Sequence, residues 1–246
     1  MEYGLQLYSV RDVTEKDMEK AIREVAGMGY SFVEFAGFMG HSAKDIKAMM
    51  DKYGVYCSGT HSGVEGLTDE NIDATIEYHK TIGNKNYIIP GADISTLEKI
   101  ARFEDIVNKA QPKLALNGIT LGYHNHSHEF MKQSEGFYIH DELQRHTTMK
   151  FEIDTFWVFA AGLDPIEVLE SLRGRVNVIH LKDGTAAEHA GRSLGLGDAP
   201  VKKVRQYAIE HGIRIVVESE NLQPDGLSEV KRCIDFLKAC DAEDNK

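Results

Sequence analysis

Residues 117–124, NGITLGYH, decide how the chain folds. A glycine follows a helix-like stretch, and a short apolar run follows the glycine. Gly is the expected residue just past a helix end, because it takes positive φ without a Cβ clash. An apolar run of this length suits a parallel strand buried on both faces. The same punctuation recurs on either side, in MGYSFVEF (28–35), YGVYCSG (53–59), IGNKNYII (82–89), GRVNVIHL (174–181) and HGIRIVVE (211–218). GLQLYS (4–9) and MKFEID (149–154) complete a set of eight predicted strands. Eight units in 246 residues average about 31 residues each, the length of a βα repeat.

Helix-like segments lie between the strands. Thr14 is expected to open one, with Asp17 three residues on and Met18, Ile22 and Val25 at helical spacing. Asp164-Pro165 opens another, with Pro at the first helical position. The segment 96–117 contains Pro112 and is predicted to kink or restart there. The tail DAEDNK (241–246) is predicted to fray. With no linker or composition shift, the expectation is a single domain over 1–246, a (β/α)8 TIM barrel of the α/β class. The competing doubly wound sheet would want a Gly-rich loop after the first strand, and QLYSVRD has none.

Composition narrows the function classes. With 28 basic and 39 acidic residues the formal charge is −11, which argues against a general nucleic-acid binder. The 42% hydrophobic and 27% charged content is that of a folded globular chain and not of a disordered one. Three cysteines without a CxxC pair point to a reducing compartment. No signal-peptide pattern or membrane-length apolar stretch is visible, so a cytoplasmic protein with no membrane partner is expected.

In a barrel, chemistry collects at the C-terminal ends of the strands. Side-chain alternation sends His124, Asp154, His180 and Glu218 inward there. Each alone reads as a cap or a hydrogen-bonding group. Four such groups converging without a cation would be costly. Imidazole plus carboxylate suits Mn2+, Fe2+, Co2+ or Zn2+ better than Ca2+.

The motifs YHNHSHEF (123–130), FEIDTFWV (151–158), HLKDG (180–184) and VVESEN (216–221), with LQLYSVRD (5–12), resemble the xylose isomerase-like sugar phosphate isomerase/epimerase superfamily, nearest its YHNHxxEF subgroup. The resemblance covers nearly the whole chain. It implies a barrel with one divalent metal, Mn2+ first, with Co2+, Zn2+, Mg2+ or Fe2+ as alternatives. It also implies a small-molecule sugar substrate and a homo-oligomer, dimer or tetramer. The family's epimerases ligate metal with Glu, Asp, His and Glu. Asp154, His180 and Glu218 match the last three, and His124 stands where the first Glu would be. Glu218 is then one acid/base group, and Glu129, His126 and Glu220 are the neighbours available as the second. Lys182 is positioned to stabilise oxyanion charge. Gln6, Tyr8, His61, His126, Trp157 and Arg192 are the expected substrate contacts.

The implied reaction is isomerisation or epimerisation through an enediolate, by proton abstraction next to a carbonyl of a sugar or sugar phosphate. Elimination from a keto-sugar or inosose on the same barrel is the alternative. A DNA-repair endonuclease is disfavoured by the charge and the single cage. A non-catalytic sugar-binding barrel is kept open by the missing first Glu. Cys57, Cys233 and Cys240 read as structural.

Overall fold

The computed structural model describes residues 1–244. Ten strands form in chain order: β1 Gly4–Gln6, β2 Phe32–Ala36, β3 Tyr56–His61, β4 Asn86–Ile89, β5 Thr120–His124, β6 Lys150–Asp154, β7 Val176–Leu181, β8 Asp183–Thr185, β9 Ala190–Arg192 and β10 Arg214–Val217. Eight close into a parallel barrel in the order β1-β10-β7-β6-β5-β4-β3-β2, while β8 and β9 pair as a separate antiparallel hairpin. The barrel is therefore the (β/α)8 TIM fold, a single domain covering the chain, with the eight strands at the predicted places.

Alternation divides each strand. Outward residues such as Val33, Phe35, Ile89, Leu121, Phe151, Ile153, Ile179 and Val217 are buried beneath the helices in one continuous apolar cluster. Inward residues stack in layers. One layer is Phe32, Ile88, Val178 and Val216, a separate apolar plug. Gly4 makes room for it, because a Cβ there would lie 2.0 Å from the Phe32 ring. Polar residues begin directly above this plug, so the upper barrel is a site with a dry floor.

Helix boundaries follow local chemistry. Gly29 and Gly54 close their helices at φ of 102° and 71°. Asp164 accepts the Ile166 N–H at 2.8 Å, with Pro165 opening the helix Pro165–Ser171 as expected. Three expectations are corrected. The helix Met18–Met28 is capped by Asp17, whose carboxylate accepts the Lys20 N–H, and Thr14 ends a separate short turn. Pro112 does not restart the helix Leu97–Leu116, which runs through it unbroken; it lies on the exposed face, where the carbonyl it leaves without a partner can turn to water. The tail is helical through Asp244 within the helix Gly226–Asp244. Buried Arg205 holds it there through ion pairs with Asp241 and Asp244, and Tyr3 Oη donates to Asp241 at 2.7 Å. Residues 245–246 of the expected frayed tail lie outside the described residues. No helix among the described residues is long and apolar enough to cross a membrane.

Candidate active site

Four strand ends bring His124, Asp154, His180 and Glu218 to one point at the C-terminal mouth. All four are buried, and one ligating atom from each lies within 4.8 Å of the others. The reason is register. Asp154 pairs with His180 across β6 and β7, and His124 pairs with Glu152 across β5 and β6.

Asp154 uses its two oxygens differently. Oδ1 accepts the N–H groups of Phe156 and Trp157, each at 3.0 Å, and so caps the helix Thr155–Ala160. Oδ2 is buried without a hydrogen bond. Asn125 steadies the turn, accepting the Asp154 N–H at 3.0 Å. His124 has no hydrogen bond at either ring nitrogen, although both are buried. Burial, and then the charges of His180 and His61, hold it well below the ordinary histidine pKa, so it is neutral with a lone pair to offer.

A second polar layer lies beneath. Glu34 Oε1 accepts from Gln6 Nε2 at 2.7 Å and faces His180 Nε2 at 2.8 Å. His61 Nε2 stands 2.7 Å from Glu152 Oε2 and 3.2 Å from Glu34 Oε1. Burial would raise Glu34, but the charges of His180 and His61 bring it down to about 2. Glu152 is pushed up to about 7 by burial and by the charge of Glu34. Together His61, His124, Glu152 and His180 form a second ligand-type group that shares two members with the first.

These contacts orient His180. An ionised Glu34 only accepts, so Nε2 carries the proton. Nδ1 then faces Glu218 Oε2 at 3.3 Å and makes no hydrogen bond. A lone pair and a carboxylate at that distance need a proton or a cation between them. Alone, the chain supplies a proton: burial disfavours it, yet Glu152, Glu218 and Glu34 together raise His180 well above its ordinary range. The donor set therefore fits a divalent cation, with an unpartnered Asp154 oxygen, two free His124 nitrogens and an oriented His180 Nδ1.

Lys182 is fully buried beside this group. Its Nζ lies 2.8 Å from Glu220, 3.2 Å from Glu218 and 3.6 Å from Asp154, and 4.6 Å above the Trp157 ring. Burial works against its charge, but the three carboxylates raise it above the ordinary lysine range. Glu218 is held well below the usual carboxylate range; burial opposes this, and Lys182 and His180 prevail. The β8–β9 hairpin closes this side, with His189 stacked 6.3 Å from Trp157. Asp183 pins the following loop by accepting the N–H groups of Gly195, Gly197 and Ala199.

The other expected residues divide. His61, His126, Trp157 and Lys182 stand around the mouth, and the His126 ring meets His124 edge-on at 5.1 Å. Glu129 does not reach it. Its buried carboxylate lies on the outer side of β5, where it accepts from Tyr123 Oη at 3.0 Å and from the His126 N–H at 2.7 Å. The reading of Glu129 as a second acid/base group is thus corrected; with His126 and exposed His128 it makes a third, peripheral ligand-type group. Gln6 is sealed in the lower layer, both amide atoms engaged by Glu34 and the Tyr8 N–H. Tyr8 is exposed under the Arg11 guanidinium. Arg192 is ion-paired to Glu188 at 3.2 Å. Glu152 was not among the expected site residues, and Glu34 was expected only as the end of its strand. Their signal was parity: Glu152 lies two residues before Asp154, and Glu34 sits in an otherwise apolar strand.

Residues 22–240 match the family described as xylose isomerase-like TIM barrel. The chain belongs to that family. No curated protein matches it significantly. Among solved structures of this xylose isomerase-like fold, two sugar phosphate isomerase/epimerases from Parabacteroides distasonis ATCC 8503 are similar. One is 27% identical, covers 96% of this chain and 97% of its own, and has a TM-score of 0.82. The other is 25% identical, with 97% and 93% covered and a TM-score of 0.80. An L-ribulose 3-epimerase shares the fold at 13% identity, with 98% and 94% covered and a TM-score of 0.71.

Proposed function

We propose that this xylose isomerase-like barrel is a divalent-metal-dependent sugar isomerase or epimerase that moves a proton next to a carbonyl. The observation that carries the reading is the buried His124–Asp154–His180–Glu218 group, whose unpartnered nitrogens and oxygen converge on one point. Those four residues would hold the ion; their imidazole and carboxylate donors suit Mn2+, Fe2+, Co2+ or Zn2+, and the family resemblance puts Mn2+ first. A divalent ion there would polarise a carbonyl oxygen and make the adjacent C–H more acidic. The two Parabacteroides structures, described as sugar phosphate isomerase/epimerases, support the same class.

The chain's own groups supply the rest. Glu218 is kept ionised by the buried Lys182 ammonium and is therefore ready to accept a proton. Lys182 Nζ, 3.2 Å away, is the protonated partner that would stabilise negative charge on substrate oxygen or return a proton. It takes the place that Glu129 cannot fill. Trp157, with Lys182 over its face, walls the mouth and excludes water on that side.

One observation favours elimination as a second reading: an ammonium beside the base is suited to protonate a leaving hydroxyl. Product mass separates the two, since a stereoisomer or isomer keeps the substrate's mass and elimination lowers it by water. The test of the main reading is Glu218→Gln. It should lower turnover at least about a hundredfold, within the contribution of a general base, while sugar binding changes far less. Unchanged turnover would reject the assignment.

A further inference from the structure

A groove of about 500 Å3 lies on the His61 side of the barrel, with His61 in its wall. It lies between the loops that follow β2 and β3 and the helix Ile72–Thr81. One wall is aromatic: the half-buried rings of Phe38 and Tyr78 sit 4.4 Å apart, tilted by 38°. The rest includes two hydrogen-bond acceptors. The Glu65 carboxylate folds over Gly63, where a Cβ would lie 2.1 Å from it, and makes no ion pair or hydrogen bond among the described residues. Asn71 donates its amide to the Glu65 carbonyl at 2.9 Å, which leaves its own Oδ1 free. Among the described residues no Lys or Arg lines the groove.

We propose that this groove is a second sugar subsite that takes a neutral pyranose ring, so that the substrate is a glycoside and not a free monosaccharide or its phosphate ester. The inference rests on the reading of the mouth as a sugar site. A phosphate needs fixed cations or a ring of N–H donors, and here it would meet the Glu65 carboxylate. A pyranose offers C–H faces to aromatic rings and hydroxyl donors to carboxylate and amide oxygens. The volume falls within the range of small-ligand sites, about 300–1,000 Å3. His61, common to the groove wall and to the polar cluster beneath the mouth, sets the second ring next to the first.

Trp157 is the only tryptophan in the chain, so its fluorescence reports occupancy of the mouth. The experiment titrates the metal-loaded protein with glucose, glucose 6-phosphate, maltose and cellobiose. It compares wild type with Phe38→Ala and with Ala74→Tyr, which fills the groove from an exposed position on its helix wall. At least one disaccharide should bind wild type about tenfold or more tightly than glucose, equal to about 1.4 kcal/mol. In both variants that advantage should fall below about threefold, with glucose affinity unchanged. Glucose binding without a disaccharide advantage, an advantage that survives both variants, or tightest binding of glucose 6-phosphate overturns the subsite and leaves the sugar site standing. A fluorescence that no sugar changes overturns both.

Discussion

Asp154→Asn separates two tasks that one carboxylate performs. The Asn oxygen can keep the acceptor position of Oδ1, which caps the helix Thr155–Ala160 through Phe156 and Trp157. The Asn amide group then replaces Oδ2, the buried oxygen that has no hydrogen bond and faces His124 at 3.7 Å. A donor now stands where a cation would be held. Asp154→Ala removes the cap as well, at a cost of about 0.5–2 kcal/mol. Metal at about one hundred times its Kd stabilises a native protein by about 2.7 kcal/mol. For a chain of this length that corresponds to a rise in Tm of about 5–10 °C. Calorimetric melting with and without Mn2+, paired with elemental analysis, measures both effects. Wild type should show the rise. Asp154→Asn should lose the rise and the bound metal while its metal-free Tm stays near wild type. Asp154→Ala should lose the rise and also melt lower without metal. A full Mn2+-dependent rise in Asp154→Asn would refute the assignment of Oδ2.

Glu34→Gln tests the orientation of His180: losing the carboxylate that fixes the Nε2 proton should weaken metal affinity about 10–100-fold in a competition titration, with the fold intact. His79, buried among Thr60, Asn84 and aromatic rings, is brought down by burial to about 4. The unfolded chain binds this proton first, so the contribution of neutral His79 is complete above pH 6.5 and is lost as pH falls from 6.5 toward 4, by about 3 kcal/mol in all. Urea unfolding of His79→Gln should therefore depend less steeply on pH across that window than wild type, and an equal slope would remove His79 from the account. Arg205→Ala should lower stability by about 1–3 kcal/mol in thermal melts, because Tyr3, Asp241 and Asp244 lose a shared partner.

The layered mouth also explains why the carboxylates do not repel one another apart. Among the described residues of the site, His61, His180 and Lys182 each touch at least two of the carboxylates Glu34, Glu152, Asp154, Glu218 and Glu220. Removing one of these three cationic side chains is expected to destabilise strongly, since buried carboxylates are then left facing one another.

By itself the sequence determined the barrel and the inward parity of the four ligand-type residues. Helix, glycine and apolar run repeat locally, and alternation along a strand is a property of the backbone that needs no tertiary contact. It was enough to bring His124, Asp154, His180 and Glu218 together in the reading. What happens after a strand ends was left to the fold. Glu129 lies five residues past His124, but the short turn that follows β5 swings it behind the strand to Tyr123. The cap at Asp17, the continuous helix through Pro112 and the tail held by Arg205 depend on solvent exposure and on partners far away in the chain. The lower polar layer is of the same kind. Glu34 and His180 are 146 positions apart, and only closure of the cylinder sets their atoms 2.8 Å from each other.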